Sequence, residues 1–203
     1  MLFLDELPEF DRRALEGLRE PLESARVHLA RAAQRAELPA AFQMVAAMNP
    51  CPCGKLGDPA HACSCSSKQL RRYRARLSGP LLDRIDLRVE VCALPAAELL
   101  ELPPGEASSR VAERVRRAAL LQQQRQAGAN AALDAQGLQR HCRLERALRT
   151  WLAGTLERLG ASARATHRVL RVARTIADLG GSAAVEREHL AEALQLRRAL
   201  GQA

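Results

Sequence analysis

The sequence predicts an α/β region built on a parallel sheet, followed by an all-α region. Two short apolar runs, Met1–Leu4 and Phe42–Met48, each end at polar residues. Such runs are typical of strands buried on both faces of a parallel sheet. Beyond residue 108 the apolar residues recur instead at helical spacing. Aromatic residues make up only 2% of the chain, so any core must consist mainly of aliphatic side chains.

Between these two strands the sequence predicts a helix and a β-hairpin. Asp11 is suited to cap a helix. The apolar positions of this helix are Leu15, Leu18 and Leu22. Two further segments, Val27–Leu29 and Glu37–Leu38, flank a short basic stretch that contains Arg31 and Arg35. This pattern predicts a hairpin that carries both arginines.

A loop, a basic helix and a third strand complete the predicted α/β domain. Residues 50–67 are rich in Cys, Pro and Gly and are predicted to form the loop, and residues 69–77 to form the helix. In residues 85–91, apolar and charged side chains alternate, which is the period of a half-buried strand. We therefore assign residues 1–91 to the α/β domain.

Prolines and a glycine mark a linker at residues 92–108, and residues 109–203 are predicted to form the all-α domain. The helix that includes Val111, Val115 and Ala118 begins it. A leucine stripe at residues 144–159 predicts another helix, which Gly160 ends. The last predicted helix spans roughly residues 186–200.

Arginine dominates a formal net charge of +8, and guanidinium groups pair well with phosphates and carboxylates. Polyanions are therefore natural partners. The alternative is that the excess reflects GC-rich coding and lies on solvated helix faces. The longest mostly apolar run, Ala40–Met48, is far too short to span a bilayer, and the chain does not open as a secretory signal does. We expect a cytoplasmic protein with no membrane partner.

An apolar strand that ends in Asp5 and Glu6 matches the metal side of a nucleotide-hydrolysing site. Asp5 would help to hold Mg²⁺ through water, because this ion prefers carboxylate oxygens and keeps much of its hydration. Glu6 would orient the attacking water. Asn49 follows the second strand and would open onto the same crevice, since ligands of parallel sheets bind beyond the carboxyl ends of the strands. The alternatives are a strand-capping pair of acids and an ordinary Asn-Pro turn.

Two arginines are candidates to stabilise phosphate charge. Arg84 stands among acids before the third strand and is suited to act as an arginine finger, the alternative being a local ion pair with Asp83 or Asp86. Arg164 lies just inside a helix that Ser162 is suited to cap. The alternative for Arg164 is membership of a solvated arginine face on that helix. The other members of this face are Arg168 and Arg171.

Two Cys-x-Cys pairs in the loop predict a structural zinc site. The pairs are Cys51 with Cys53 and Cys63 with Cys65. Four thiolates suit tetrahedral Zn²⁺, and disulfides are disfavoured in the cytoplasm. His61 is an alternative ligand in place of one cysteine, and free thiols are the alternative to a metal site. Cys92 and Cys142 stand alone and are predicted to be core or surface residues.

Five stretches resemble the ComM/YifB family of magnesium-chelatase-like AAA+ ATPases, and the resemblance extends over nearly the whole chain. They are LFLDELPEF at residues 2–10, REPLE at 19–23, AAMNPCPCG at 46–54, RLSGPLLDRIDL at 76–87 and RVLRVARTIADL at 168–179. The resemblance implies that the α/β part is a partial AAA+ core and the helical part its lid. It also implies a Walker B pair at Asp5 and Glu6, sensor 1 at Asn49, the arginine finger at Arg84 and sensor 2 at Arg164.

Members of this family resemble hexameric motors that use ATP with Mg²⁺ to drive DNA branch migration during recombination of incoming DNA. The resemblance implies a homo-hexamer in which Arg31 and Arg35 face the ring pore and contact single-stranded or branched DNA. The sequence departs from the family pattern, because it contains no G-x-x-x-x-G-K-[ST] loop and no counterpart of the family's Lon-like N-terminal domain. We expect this chain alone neither to bind ATP tightly nor to hydrolyse it.

Two other functions stay open. One is a chelatase-type ATPase that remodels a protein partner, against which the ComM/YifB-like stretches and the cysteine loop argue. The other is a non-catalytic, zinc-containing module that binds nucleic acid or partner subunits. DNA binding that depends on Arg31 and Arg35 but survives loss of Glu6 would support the second.

Overall fold

A computed structural model describes residues 1–31, 34–92 and 94–198. The chain divides into two compact units, the first formed by Met1–Ile85 with Val91–Leu100 and the second by Asp86–Glu90 with the chain from Glu101 onward. The first unit mixes strands and helices and the second is helical, so the predicted fold class is confirmed. None of the described helices combines the length and apolarity needed to cross a bilayer.

The first unit contains four short strands and five helices among the described residues. The strands are β1 (Leu2–Leu4), β2 (Arg26–Arg31), β3 (Gln34–Pro39) and β4 (Met44–Ala46). The helices are α1 (Arg12–Gly17), α2 (Pro21–Ser24), α3 (Ser67–Arg74), α4 (Gly79–Leu82) and α5 (Ala96–Glu101), and a 3₁₀ turn covers Leu7–Glu9. Asp11 caps α1 as predicted, since its side chain accepts hydrogen bonds from the amides of Arg13 and Ala14.

Strands β1 and β4 pair in parallel, with Leu2, Phe3 and Leu4 opposite Met44, Val45 and Ala46. Leucines from β1, α1 and α4 form the core on one side of this pair. The expected burial on both faces is not found, because Phe3 is 62% exposed and Val45 is 38% exposed. The physical reason is that this sheet has only two strands among the described residues, and the helices cover one of its faces.

The predicted hairpin is confirmed. Strands β2 and β3 pair antiparallel from Arg26 opposite Pro39 to Arg31 opposite Gln34. An ion pair between Arg26 and Glu37 joins the two strands on one face. The backbone of Arg31 lies at the last paired position, and the side chain of Arg35 is exposed.

The predicted strand at residues 85–91 is wrong. This segment has no regular secondary structure and belongs to no sheet in the described part of the chain. Leu87, Val89 and Val91 are 51%, 71% and 89% exposed. The amide of Arg88 donates instead to the carbonyl of Leu196 in the helical unit, at an N–O distance of 2.7 Å. Alternation alone does not make a strand, because a strand also needs a neighbour whose free backbone groups are in register.

Five α-helices build the described part of the second unit, and α9 lies at the centre of its core. The helices are α6 (Ser108–Gln126), α7 (Ala135–His141), α8 (Arg146–Arg158), α9 (Ala163–Leu179) and α10 (Arg187–Arg198). Val169, Ala173 and Ala177 of α9 are at most 1% exposed. They pack against leucines of α7, α8 and α10.

The predicted ends of α8 and α9 are confirmed in detail. Gly160 has a φ of 60°, and its amide donates to the carbonyl of Glu157 at 2.9 Å. The amide of Ala161 donates to Leu156, also at 2.9 Å, which completes a Schellman motif. The hydroxyl of Ser162 then accepts from the amide of Ala165 and caps α9.

Ala127 follows the last residue of helix α6, and its φ of 55° lies in the left-handed region. We expect Ala127→Gly to raise the free energy of unfolding of the helical unit by about 1 kcal/mol, because only glycine adopts this conformation without steric cost. Urea unfolding followed by the fluorescence of Trp151, the only tryptophan, measures the effect. Ala119→Gly is the matched control, since this exposed position lies inside α6 and glycine should destabilise it by about 1 kcal/mol.

Candidate nucleotide site and metal centre

The parallel pairing of β1 with β4 brings the carboxyl ends of both strands to one edge. Asp5 and Glu6 follow β1 directly, and Asn49 lies three residues beyond the end of β4. The pairing continues past the strands, because the amide of Ala47 donates to the carbonyl of Leu4 at 2.9 Å. The edge therefore carries two carboxylates and one amide side chain, as the sequence predicts.

Glu6 occupies an extra position in this ladder. In a regular parallel pair the carbonyl of Ala47 would accept from the amide of Glu6, but it accepts from Leu7 at 2.9 Å. Glu6 has a φ of 50° and a ψ of 47°, and its amide turns to the Asp5 carboxylate at 2.9 Å. Left-handed backbone at a non-glycine residue costs about 1 kcal/mol, and such strain clusters at functional sites. The side chains of Asp5 and Glu6 are both exposed.

Tyr73 of α3 links the tip of β4 to the cysteine loop. Its hydroxyl donates to the backbone carbonyl of Asn49 at 3.2 Å, and its ring is buried. Burial raises the pKa of Tyr73, and the charges of Glu9, Cys51 and Glu6 add to the effect. The Asn49 side chain stays exposed while Tyr73 fixes its backbone. No sequence pattern marks Tyr73 as part of this site.

Arg84 lies in the turn after α4 and is held within its own unit. One guanidinium nitrogen pairs with Glu23, and the other donates to the carbonyl of Pro80 at 2.7 Å. Its side chain is 9% exposed. Arg84 therefore has an ion-pair partner in Glu23, an acid that the sequence pattern did not indicate, and Asp86 pairs with Arg168.

The Arg84–Glu23 pair borders an open cleft of about 420 Å³ in the first unit. The cleft is lined by Glu16, Arg19, Glu20, Glu23, Ser24 and Arg84. A hydrogen bond with Ser78, followed by one from Arg19, lowers the pKa of Glu16. Three carboxylates and two guanidinium groups therefore line its walls.

Arg164 lies in the first turn of α9 and has an exposed side chain. The two arginines that share its predicted sector are not solvated. Arg168 is 8% exposed and pairs with Asp86 at 2.5 Å, and Arg171 donates to the carbonyl of Leu133 at 2.6 and 2.9 Å. The solvated-face interpretation is therefore wrong for these two residues, because both guanidinium groups bind chain segments that pack beside α9.

The four cysteines of residues 50–67 form one compact cluster. Sulfur–sulfur distances are 3.4 Å between Cys51 and Cys53, 3.7 Å between Cys51 and Cys63, and 3.6 Å between Cys53 and Cys63. Cys65 completes a group in which all ligand atoms lie within 4.8 Å of one another. A tetrahedral Zn²⁺ with Zn–S bonds of about 2.3 Å places its sulfurs about 3.8 Å apart. The cluster fits that geometry.

The backbone of the cysteine loop supports negative charge on sulfur. The amides of Lys55 and Ser64 donate to Cys53 and, with Cys51, lower its pKa to about 5. Burial raises the pKa of Cys65 to about 12. Four neighbouring sulfurs cannot all carry charge without a cation to offset their repulsion. A divalent metal ion would supply that charge.

The histidine in this loop does not join the cluster. The Nδ1 atom of His61 lies 3.0 Å from an oxygen of Asp58. Among the described residues, the four cysteines are the only group of His, Cys, Asp and Glu side chains close enough to share a metal ion. The alternative ligand set with His61 is therefore wrong. Cys142 is buried and Cys92 is exposed, each apart from the cluster.

Comparison with known proteins connects both units to one family. Residues 1–99 match the family magnesium chelatase, subunit ChlI, and residues 105–197 match magnesium chelatase, subunit ChlI C-terminal. YifB of Escherichia coli, an uncharacterized protein, is 48% identical over 97% of this chain and 39% of its own length. Competence protein ComM of Haemophilus influenzae is 45% identical over 97% of this chain and 38% of its own length.

A more distant match supports the same grouping. An uncharacterized protein of Mycobacterium tuberculosis is 42% identical over 98% of this chain and 40% of its own length. The chain thus spans about two fifths of the length of these relatives. The chain belongs to the magnesium-chelatase-like family, in the group that contains ComM and YifB.

Proposed function

We propose that this chain carries the hydrolytic half of an AAA+ nucleotide site. The observation that supports it most directly is the parallel pairing of β1 with β4, which brings Asp5, Glu6 and Asn49 to one edge. Asp5 would hold Mg²⁺ through water. Glu6, which is exposed and has a left-handed backbone, would orient the water that attacks the γ-phosphate. Asn49 would bind that phosphate or the water through its amide.

The two arginine roles are part of the same proposal. Arg84 would stabilise charge on the transferring phosphoryl group of a neighbouring subunit in a homo-hexamer. It would then have to leave Glu23, which neutralises it within one chain. Arg164 would serve as sensor 2 of the helical lid.

DNA is the substrate that we propose for the assembled motor. The hairpin β2–β3 carries Arg31 and Arg35, the net charge is +8, and one relative is named a competence protein. Arginine side chains at the pore would contact the phosphates of single-stranded or branched DNA. ATP hydrolysis would then drive branch migration in the cytoplasm.

We also propose that the four cysteines hold structural Zn²⁺. The sulfur distances, the charge argument and the absence of a competing ligand among the described residues support this metal. The second candidate function is a zinc-containing module that binds DNA or subunits without catalysis. The exposed cations near the cysteine loop favour this non-catalytic function for the 203-residue chain when the rest of the protein is missing.

A chimaera tests the nucleotide site. In it, this chain replaces the matching 39% of E. coli YifB. We expect the chimaera to hydrolyse ATP and Glu6→Gln to lower kcat by about 10²-fold or more, because the variant cannot polarise the attacking water. The 203-residue chain alone should show no turnover. The rate of phosphate release under saturating ATP measures the activity of the chimaera, of its Glu6→Gln variant and of the chain alone.

The matched control for this experiment is Glu9→Gln, which removes a nearby carboxylate that pairs with Arg76 instead. Its kcat should stay within about twofold of the parent chimaera. Equal activity of the Glu6→Gln variant and the parent would refute the catalytic role, and would favour the non-catalytic module.

A further inference from the structure

Helix α3 is an isolated block of positive charge. No acidic residue occurs between Asp58 and Asp83. This interval contains five cations, which are Lys68, Arg71, Arg72, Arg74 and Arg76. Only Arg76 pairs with a described carboxylate, that of Glu9 at 2.6 Å. The side chains of the other four are exposed.

Three of these cations form a ridge on the outer side of α3. Lys68, Arg71 and Arg72 are related by three and four residues and so lie on one face. Tyr73 points to the opposite side, where it is 8% exposed. The ridge rises about 6 Å along the helix axis from its first to its last cation.

The ridge is held at both ends of the helix. Ser66 and Gln69 form a capping box directly after Cys65 of the metal cluster, and Tyr73 is anchored to Asn49. Like charges three and four residues apart destabilise a helix, so the fold retains an arrangement that opposes its own formation. A bound polyanion would reverse that cost.

We infer that this ridge, Lys68 with Arg71 and Arg72, binds the phosphate backbone of nucleic acid at a second surface besides the hairpin. The inference rests on the proposed DNA substrate. Its outer face carries no large apolar side chain, whereas the centre of a protein interface is enriched in aromatic and apolar groups. Phosphates need only fixed cations, and arginine offers a forked donor for each. Contacts of this kind carry no base specificity.

Neutralising the ridge tests the inference. The triple variant K68Q/R71Q/R72Q of the 203-residue chain is compared with R110Q/R116Q/R117Q, which removes the same charge from exposed positions of α6. Fluorescence anisotropy with labelled single-stranded and duplex oligonucleotides is recorded between 50 and 200 mM salt. For the ridge variant we expect the Kd at 50 mM salt to rise about tenfold or more. We also expect the slope of log Kd against log salt concentration to become shallower by about two to three.

The control variant should change the slope by less than one, and the charge-conserving R71K/R72K variant should keep most of the affinity. Circular dichroism checks that each variant stays helical. The inference is overturned if both triple variants lose the same affinity for the oligonucleotides, or if the ridge variant loses none. If R31Q/R35Q loses binding while the ridge variant does not, the hairpin proposal stands and the ridge fails. Absence of binding by the unmodified chain at 50 mM overturns both.

Discussion

Asp178→Ala is expected to lower the free energy of unfolding of the helical unit by about 3–5 kcal/mol. The Asp178 side chain is 1% exposed and accepts from Arg125 at 2.6 and 2.8 Å, from Asn130 at 2.8 Å and from Arg174 at 3.1 Å. Removal of the carboxylate would leave the Arg174 guanidinium, also 1% exposed, as an uncompensated buried charge. Urea unfolding followed by Trp151 fluorescence measures the loss.

Acid should weaken the same network. Burial acts to raise the pKa of Asp178, but the hydrogen bonds from Arg125 and Asn130 and the charges of Arg174 and Arg125 lower it overall. A carboxyl whose pKa is lower in the folded state contributes stability above its unfolded pKa of about 3.9 and loses it as pH falls through the folded pKa. The difference in free energy of unfolding between the parent and Asp178→Asn should therefore become smaller below about pH 4.

Glu157→Ala is the control for this network, since Glu157 is an exposed residue of α8 and its loss should change stability by less than about 0.5 kcal/mol. A loss below about 1 kcal/mol for Asp178→Ala would contradict the prediction. It would mean that water replaces the carboxylate and reaches both guanidinium groups.

Local patterns predicted most of the helical unit. The cap at Ser162, the left-handed Gly160 and the apolar arc of α9 each depend on residues within about one or two helical turns, so the sequence contains the whole signal. The strand predicted at residues 85–91 is wrong, because a strand also depends on a partner that is distant in the sequence. The predicted burial of β1 and β4 on both faces is wrong for a related reason, since burial depends on the strands and helices that surround them.

In the candidate site, too, local patterns marked some residues, and the fold alone brings the others together. Cys51 and Cys53 are close in sequence to their fellow ligands, and their spacing predicted a cluster. The partner of Arg84 is Glu23, 61 residues away, and the residue that anchors Asn49 is Tyr73, 24 residues away. No periodicity or spacing marks such pairs. Each becomes visible only when the fold brings the two segments together.

Removal of the metal ion that we propose for the four cysteines is the second change with a large expected effect. Native mass spectrometry of the chain should show one Zn²⁺, lost after chelation or in Cys63→Ser. Structural zinc contributes about 10–16 kcal/mol of apparent binding free energy at neutral pH, so residues 50–67 should lose their fixed conformation with it. Hydrogen exchange should then accelerate throughout this loop and in α3, whose first turn follows Cys65.

The effect should extend to the candidate nucleotide site, because the fully buried Cys51 lies two residues beyond Asn49 and Tyr73 of α3 donates to the carbonyl of Asn49. Faster exchange at Asn49 on chelation would report this coupling without any catalytic assay. Cys92→Ser is the matched control, since this cysteine is exposed and outside the cluster, and it should keep both the metal and the exchange pattern. The metal assignment would be refuted if the chain, produced with zinc in excess, carried none and all four loop thiols reacted as fast as Cys92, because thiolates that hold a metal ion are shielded from such reagents.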